Sequence, residues 1–280
     1  MISFPVLQEG VLVGQWFDSS VGSVDETTPN IARMYDYFLG GSANFAVDRT
    51  AAEEFLRVYP GNTAWAQINR ALLGRAVRHL CARGIDQFLD LGSGVPTVGN
   101  VHEIAQRENP EARVAYVDIE PVAVHHARHI LRDNAQAAVV QADIREPDKV
   151  LNEPEVTELL DFSRPVGVLA VAILDILHVE DPPGLVSAYR DVCVPGSALV
   201  ITNGAELSMT SEEREGIDQV MGQTTTPHVT FRSPEDVAAL FPGYTLLEPG
   251  VVPSAQWRPD EPVSEEQALR SNGYAAVGIL

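Results

Sequence analysis

Apolar positions along this chain follow two different periods, and the change between them divides the molecule. Over residues 29–84 the pattern is helical. Trp65, Ile68, Leu72, Ala76 and Leu80 recur at three- to four-residue spacing, with Asn62 or Thr63 placed to cap the start and Gly84 to stop the end. Before them, residues 29–60 read as two helical pieces split at Gly40-Gly41. From residue 85 onward short apolar runs alternate with helical stretches. The runs fall at 87–91, 114–118, 138–141, 166–172 and 198–202, and helices fit at 97–109, 121–134, 150–161 and 183–193. Strands that alternate with helices imply right-handed crossovers and a mainly parallel sheet with helices on both faces.

Past Asn203 the rhythm changes. A helix is expected near 211–221. Ser233-Pro234-Glu235-Asp236 then supplies an N-cap, a first-turn proline and two acids for another. Two extended runs, 245–247 and 275–279, are placed to form a closing antiparallel edge. No internal repeat or low-complexity tract is present. The expected organisation is a loosely ordered leader over 1–28, a helical cap over 29–84 and a Rossmann-like α/β domain over 85–280.

Charge narrows the partners. The chain has 280 residues, with 39 acidic and 19 basic side chains and a formal net charge of −20. Lys149 is the sole lysine and no polybasic run exists. Such a surface repels phosphate backbones and anionic lipid, so neither nucleic acid nor a membrane is an expected partner. The longest apolar run, 166–174, is too short to cross a bilayer, and the N-terminus lacks the basic and cleavage patterns of a secretory signal. Cys81 and Cys193 follow no metal spacing. A reduced, cytoplasmic protein is expected, acting on a small molecule and compatible with a homodimer.

The candidate chemistry sits where the strands end. The first strand runs into Asp90-Leu91-Gly92-Ser93-Gly94-Val95-Pro96-Thr97, a turn whose glycines let a ligand approach the backbone. The second ends in Asp118-Ile119, placed to accept from both hydroxyls of an adenosine ribose. The third ends in Asp143-Ile144, an acidic tip placed to accept from an adenine amino group. Two cofactor classes use such a pocket. A dinucleotide rests its pyrophosphate on the helix N-terminus and prefers G-x-G-x-x-G; here the last glycine is replaced by Thr97, and Pro96 removes a backbone donor. S-adenosyl-L-methionine carries no phosphate and a cationic sulfonium, which suits acids and aromatic faces. The residues therefore favour S-adenosylmethionine, with an NAD-dependent oxidoreductase as the other cofactor class.

Several stretches carry a resemblance beyond this generic pocket. They are Thr28-Pro29-Asn30-Ile31-Ala32-Arg33, Tyr35 to Gly41 with Asn44, Asp90 to Thr97, Asn100-Val101-His102-Glu103, Tyr116-Val117-Asp118 with Pro121, and Gln141-Ala142-Asp143. Glu248-Pro249-Gly250 and Gln256-Trp257-Arg258-Pro259 complete the set. Together they resemble an actinobacterial class I S-adenosylmethionine methyltransferase family, long catalogued as a domain of unknown function, from about residue 28 to the C-terminus. The resemblance implies a seven-stranded methyltransferase sheet with a helical N-terminal cap. It also implies that Asp90, Gly92 and Gly94 line the methionine side, Asp118 the ribose and Asp143 the adenine, with Ser93 of the same turn among the cofactor-binding residues. It does not supply an acceptor.

One departure from that family bears on the reaction. A histidine commonly stands where this chain has Asp175, at the end of the run from Ala172, and His178 follows three residues later. On a helical turn the two share a face, and a carboxylate there would orient His178 as a general base for a substrate hydroxyl. The alternative is that Asp175 touches the cofactor while His178 packs or faces solvent. Tyr35, Tyr37 and Phe38 beside Gly40-Gly41 form a candidate lid hinged at the glycines, with Tyr37 and Gly41 at the cofactor. Arg33 and Arg49 are candidates for the cofactor carboxylate or for neutralising nearby acids. His125, His126 and His129 share a helix without a further ligand set, so no metal is expected. The loop 224–228 falls where substrate-covering insertions lie. Besides methyl transfer to oxygen or nitrogen, two readings stay open: a non-methylating use of the same cofactor, and a cofactor-binding regulator without turnover.

Overall fold

The computed structural model describes residues 24–96 and 99–280. Most of the expected leader, and Thr97 at the expected start of a helix, lie outside the described residues. The chain opens with three helices, α1 (Ile31–Phe38), α2 (Ala46–Val58) and α3 (Asn62–Ala82). An alternating region follows: β1 (Gln87–Leu91), α4 (Val101–Glu108), β2 (Arg113–Asp118), α5 (Pro121–Leu131) and β3 (Ala137–Gln141). It continues with α6 (Pro147–Asn152), α7 (Pro154–Thr157), β4 (Gly167–Val171), α8 (Pro182–Arg190) and β5 (Ala198–Gly204). The last stretch holds α9 (Ser211–Met221), α10 (Pro234–Ala239), β6 (Thr245–Leu246), β7 (Val252–Pro253), α11 (Glu265–Leu269) and β8 (Gly273–Ile279).

The strands form one sheet in the order β3-β2-β1-β4-β5-β8-β6, with the two-residue β7 also paired to β8. β1 to β5 are parallel, and β8 enters antiparallel between β5 and β6. The expected closing edge is thus present, and the seven-stranded path carries one extra short strand. Strand order reverses between β1 and β4, the switch point at which open α/β sheets bind ligands. The register sets Asp90 beside Tyr116 and Asp118 beside Gln141, so the carboxyl ends form a single rim.

Each strand of the parallel region is covered on both faces. Phe88, Val114, Leu169 and Val200 pack beneath α3 and α4, and Leu89, Val117, Val168 and Ile201 pack on the opposite face. The expected helix over 150–161 is instead two short helices, because Pro154 cannot donate within a continuous helix and opens the second at its first turn. Helix α3 begins one residue before its expected interior: Gly61 is the N-cap and Asn62 is the first helical residue.

A third apolar cluster joins Met34, Phe38, Phe55 and Tyr59 of the N-terminal helices to Ile217 and Met221 of α9. The cap is therefore completed by the segment after β5. A buried ion network fixes it to the sheet. Arg33, 1% exposed, donates Nε to Asp48 at 2.8 Å, Nη1 to Glu120 at 3.1 Å and Nη2 to the Thr28 carbonyl at 2.8 Å. Asn30 caps α1 through its Oδ1 and donates Nδ2 to Glu120 at 2.7 Å. Among the described residues no helix is long and apolar enough to cross a membrane.

Candidate active site

The rim of strand ends and the cap enclose a cavity of about 740 Å³. Its sheet wall comes from three short stretches. At the end of β1, Gly92 has φ +69° and its amide donates to Val117 O at 2.8 Å. A Cβ at Gly92 would lie 2.4 Å from Ile173, so the turn after β1 packs against the turn after β4 only with glycine here. Asp118, at the end of β2, accepts from the Gly94 amide at 2.7 Å and from the Glu120 amide at 2.8 Å, one bond on each oxygen. Each oxygen keeps a lone pair for a further donor, which is what a pair of ribose hydroxyls requires. Ala172, at the end of β4, takes φ +52°, a left-handed conformation uncommon for a side-chain-bearing residue. Its amide is held by Thr202 Oγ1 at 2.9 Å.

Burial dominates the electrostatics of this wall. It pushes the Asp90 carboxyl up to about 7, with nearby Arg70 pulling it down and Asp118 adding to the rise. Burial raises Asp118 as well, against the backbone donors at Glu120 and Gly94. Asp175 is 3% exposed and is also raised by burial. Its Oδ2 accepts from the Gly204 amide at 3.0 Å, while its Oδ1 is buried without a hydrogen-bond partner. Asp90 and Asp118 thus stand together at the ends of two paired strands, with Arg70 near Asp90, an environment suited to a ligand bearing positive charge.

Of the residues expected at the site, Asp90, Gly92, Ser93, Gly94, Asp118, Ile119, Ala172, Asp175 and His178 line this cavity. Four others do not. Asp143 is held by Arg145, whose Nε reaches both carboxylate oxygens at 2.9 and 3.0 Å, and Arg145 itself is the lining residue. Ile144 is buried in the sheet core, with its carbonyl accepting from Tyr189 Oη at 2.8 Å. Tyr37 turns outward to Glu53 at 3.4 Å. Gly41 packs against Asp36: a Cβ there would lie 1.9 Å from Asp36 Oδ1, and its amide donates to Asp36 O at 2.8 Å. Asp36 is itself clamped by the Ala43 amide and Asn44 Nδ2, both at 2.8 Å, so the glycine pair is a fastened turn and not a free hinge.

The expected pairing of Asp175 with His178 is also absent. Residues 174–176 form a turn, not a helix, and the Asp175 carboxylate is committed to Gly204. Arg33 serves the ion network, and Arg49 donates to Asn44 O at 2.8 Å. Among the described residues no group of three or more His, Cys, Asp and Glu side chains is placed to hold a metal.

The opposite wall was largely hidden in the sequence. Asn62, Trp65, Asn69, Arg70 and Leu73 of α3 line the cavity at intervals of three, four, one and three residues, one face of the helix. The apolar stripe pointed to the neighbouring face; the usable signal was Asn62 and Asn69, seven apart and both buried. Tyr35, Phe38, Phe55 and Tyr59 add rings from α1, α2 and the turn after it. Loop 224–231 closes the space and is tied at both ends. The Thr225 amide donates to Pro29 O at 3.0 Å, and the Thr230 amide donates to Asp175 O at 2.7 Å.

Comparison with known proteins agrees with this geometry. The family model described as S-adenosyl methyltransferase matches residues 18–280. A solved candidate methyltransferase from Thermobifida fusca YX is 40% identical, with a TM-score of 0.85 over 91% of this chain and 96% of that one. A DUF574 family protein from Streptomyces avermitilis MA-4680 is 32% identical, with a TM-score of 0.86 over 92% of this chain and 99% of that one. The CurJ carbon methyltransferase, 16% identical at a TM-score of 0.51 over 81% of this chain and 60% of that one, shares the fold alone. A search of curated proteins finds no match.

Proposed function

We propose, because the chain belongs to the S-adenosyl methyltransferase family and takes S-adenosylmethionine as its cofactor, that it methylates an oxygen or nitrogen of a small-molecule acceptor. The observation that carries this reading is one continuous cavity with two unlike walls. The acidic, glycine-rich rim fits the cofactor, and the ring-lined cap leaves room for a second molecule. When bound, S-adenosylmethionine supplies an electrophilic methyl group on a sulfonium, leaving as S-adenosylhomocysteine.

The protein's own share is positional. Asp118 offers two oxygens to the ribose, and Asp90 and Arg70 suit the ammonium and carboxylate of the methionine end. The cap excludes water from the reacting atoms. Holding nucleophile and methyl donor in line can supply about 7–11 kcal/mol of the barrier. Asp175, not His178, is assigned the acceptor's proton. It is a buried carboxylate lining the cavity with one oxygen held by the Gly204 amide, whereas His178 lacks the carboxylate that would orient it.

Calorimetry with S-adenosylhomocysteine and NADH tests the cofactor half. S-adenosylhomocysteine is expected to bind. Asp118→Asn should weaken it by about 10-fold or more, from the loss of charge-assisted bonds worth about 1.5–3 kcal/mol. Tighter binding of NADH would overturn the reading. Transfer of labelled methyl to a metabolite panel tests the acceptor half. Binding without product across that panel would favour a regulator.

A further inference from the structure

Among the cavity-lining residues of α1, α2 and α3, Arg70 alone carries a charge. It is part-buried, and its bonding sets it apart from other arginines buried to that degree or further. Arg33 holds two carboxylates, Arg75 donates to the Trp257 and Ser254 carbonyls, Arg113 to Leu159 O, and Arg232 to Leu174 O. Arg70 has no hydrogen-bond or ion-pair partner among the described residues. Its Nε is sealed from solvent, whereas Nη1 and Nη2 keep open surface. The guanidinium lies over the Tyr35 ring, whose centroid is 6.0 Å from Cζ.

An arginine drawn out of water without a partner forfeits the hydration of its charge, so inward-facing arginines are nearly always paired. Asp90 is near enough for the two charges to act on each other, yet the side chains do not pair. Both residues, with Ser93 and Gly94, also border a second recess of about 10 Å³, which places them together at the glycine turn. An acid and a base that face one space without touching are completed by a zwitterion, its ammonium toward the acid and its carboxylate toward the guanidinium. Coulomb's law then separates two forms of the cofactor. Removing the methionine carboxylate makes the cofactor more cationic by one charge, which the acidic rim by itself favours. Arg70 acts in the opposite sense. It repels the added net charge, and its planar fork of donors matches a carboxylate and nothing else on the methionine chain.

We propose that Arg70 determines which form of the cofactor this protein accepts: it makes the methionine carboxylate obligatory and turns away decarboxylated S-adenosylmethionine. This rests on the assignment of the methionine end to Asp90 and Arg70 and adds a selectivity to it. The decarboxylated compound is the donor from which aminopropyl groups are transferred. Among non-methylating uses of an adenosyl sulfonium, that one is therefore closed to this chain.

The test is calorimetry of three thioethers with the full chain. S-adenosylhomocysteine carries ammonium and carboxylate, its decarboxylated form carries the ammonium alone, and methylthioadenosine carries neither. The parent should bind S-adenosylhomocysteine about 10-fold or more tighter than the decarboxylated form. Arg70→Met should raise the Kd of S-adenosylhomocysteine by about 10-fold or more and leave methylthioadenosine within about 2-fold. The decarboxylated form should bind this variant as tightly as it binds the parent, or tighter. Arg70→Lys, which keeps the charge and loses the fork, should fall between the parent and Arg70→Met. The two spared ligands report that the variants are folded. Equal affinity of the parent for S-adenosylhomocysteine and its decarboxylated form overturns the proposal with no variant needed. Equal weakening of all three ligands by Arg70→Met overturns it as well. In either case S-adenosylhomocysteine still binds and the methyl-transfer reading stands. If S-adenosylhomocysteine does not bind the parent at all, that reading falls and this proposal with it.

Discussion

The two walls of the cavity are built by different means. The sheet wall takes its residues from within a few positions of a strand end: Asp90 to Gly94, Asp118 to Glu120, and Ala172 to Asp175. Parallel pairing alone brings those ends to one rim, whatever follows them. The cap wall collects residues from 30 to 73, from 209 to 231 and at 272, and no regular pairing aligns them. It depends on particular contacts, above all Arg33 between Asp48 and Glu120. A rim ordered by strand pairing therefore faces a cap fastened by a few buried bonds.

The largest expected effect follows from cutting that link. Arg33→Met leaves two buried carboxylates uncompensated and should cost about 3–5 kcal/mol, a loss of roughly 10 °C in Tm by scanning calorimetry. Adding Asp48→Asn and Glu120→Gln should restore much of the loss, because no unpaired charge then remains. If Arg33→Met melts within about 2 °C of the parent, the cap is held by its apolar cluster with α9 and the contrast between the walls is wrong.

The same contrast explains what could be read from residues alone. The alternation of strands and helices, the closing antiparallel edge and the rim residues Asp90, Gly92, Gly94 and Asp118 were legible because each is encoded locally, by period and by the turn at a strand end. Asp143 does not line the cavity although it follows a strand by the same logic. Arg145, two residues on, folds back and occupies its carboxylate, a competition between near neighbours that periodicity does not register. Tyr37 lies off the cavity because helix phase, not proximity to an aromatic cluster, decides which ring faces inward, and Gly41 lies off it because it packs on Asp36. Asn62 and Arg70 are not marked by period because their place at the cavity arises from the packing of α3 against the rim and the cap, as Arg70 near Asp90 and over the Tyr35 ring shows.

An intermediate effect distinguishes the rim as a reader of charge. Burial holds the Asp90 carboxyl up to about 7, against about 3.9 for an unfolded aspartate. Between those values the unfolded chain releases a proton that folded Asp90 keeps. This group's contribution to stability therefore falls as pH rises from about 4 to about 7 and levels off above. Asp90→Asn removes the dependence, so the Tm of the ligand-free variant should gain on the parent from pH 5 to pH 8. A cofactor ammonium beside Asp90 draws the retained proton off. Near pH 6.5 the enthalpy of S-adenosylhomocysteine binding should then differ between phosphate and Tris buffers for the parent, and not for Asp90→Asn. Equal buffer dependence in both proteins would remove Asp90 from the methionine end.

The smallest expected effect concerns Asp143, where strand-end logic and the structure disagree. If the carboxylate accepts from the adenine amino group, Asp143→Ala should weaken S-adenosylhomocysteine about 10-fold, the scale of one charge-assisted bond. The structure directs a different result. The carboxylate is only part-buried, is held below the ordinary aspartate range by its bonds to Arg145, and does not line the cavity. An exposed pair of this kind contributes about 0–1 kcal/mol, so the Kd should move by about 2-fold or less. Arg145 is the residue at the cavity, and releasing it from Asp143 frees its guanidinium without removing it. Arg145→Ala should therefore shift the Kd more than Asp143→Ala does. The opposite ranking would return the adenine end to the third strand and make the rim a row of three acids, with the cap as the only irregular wall.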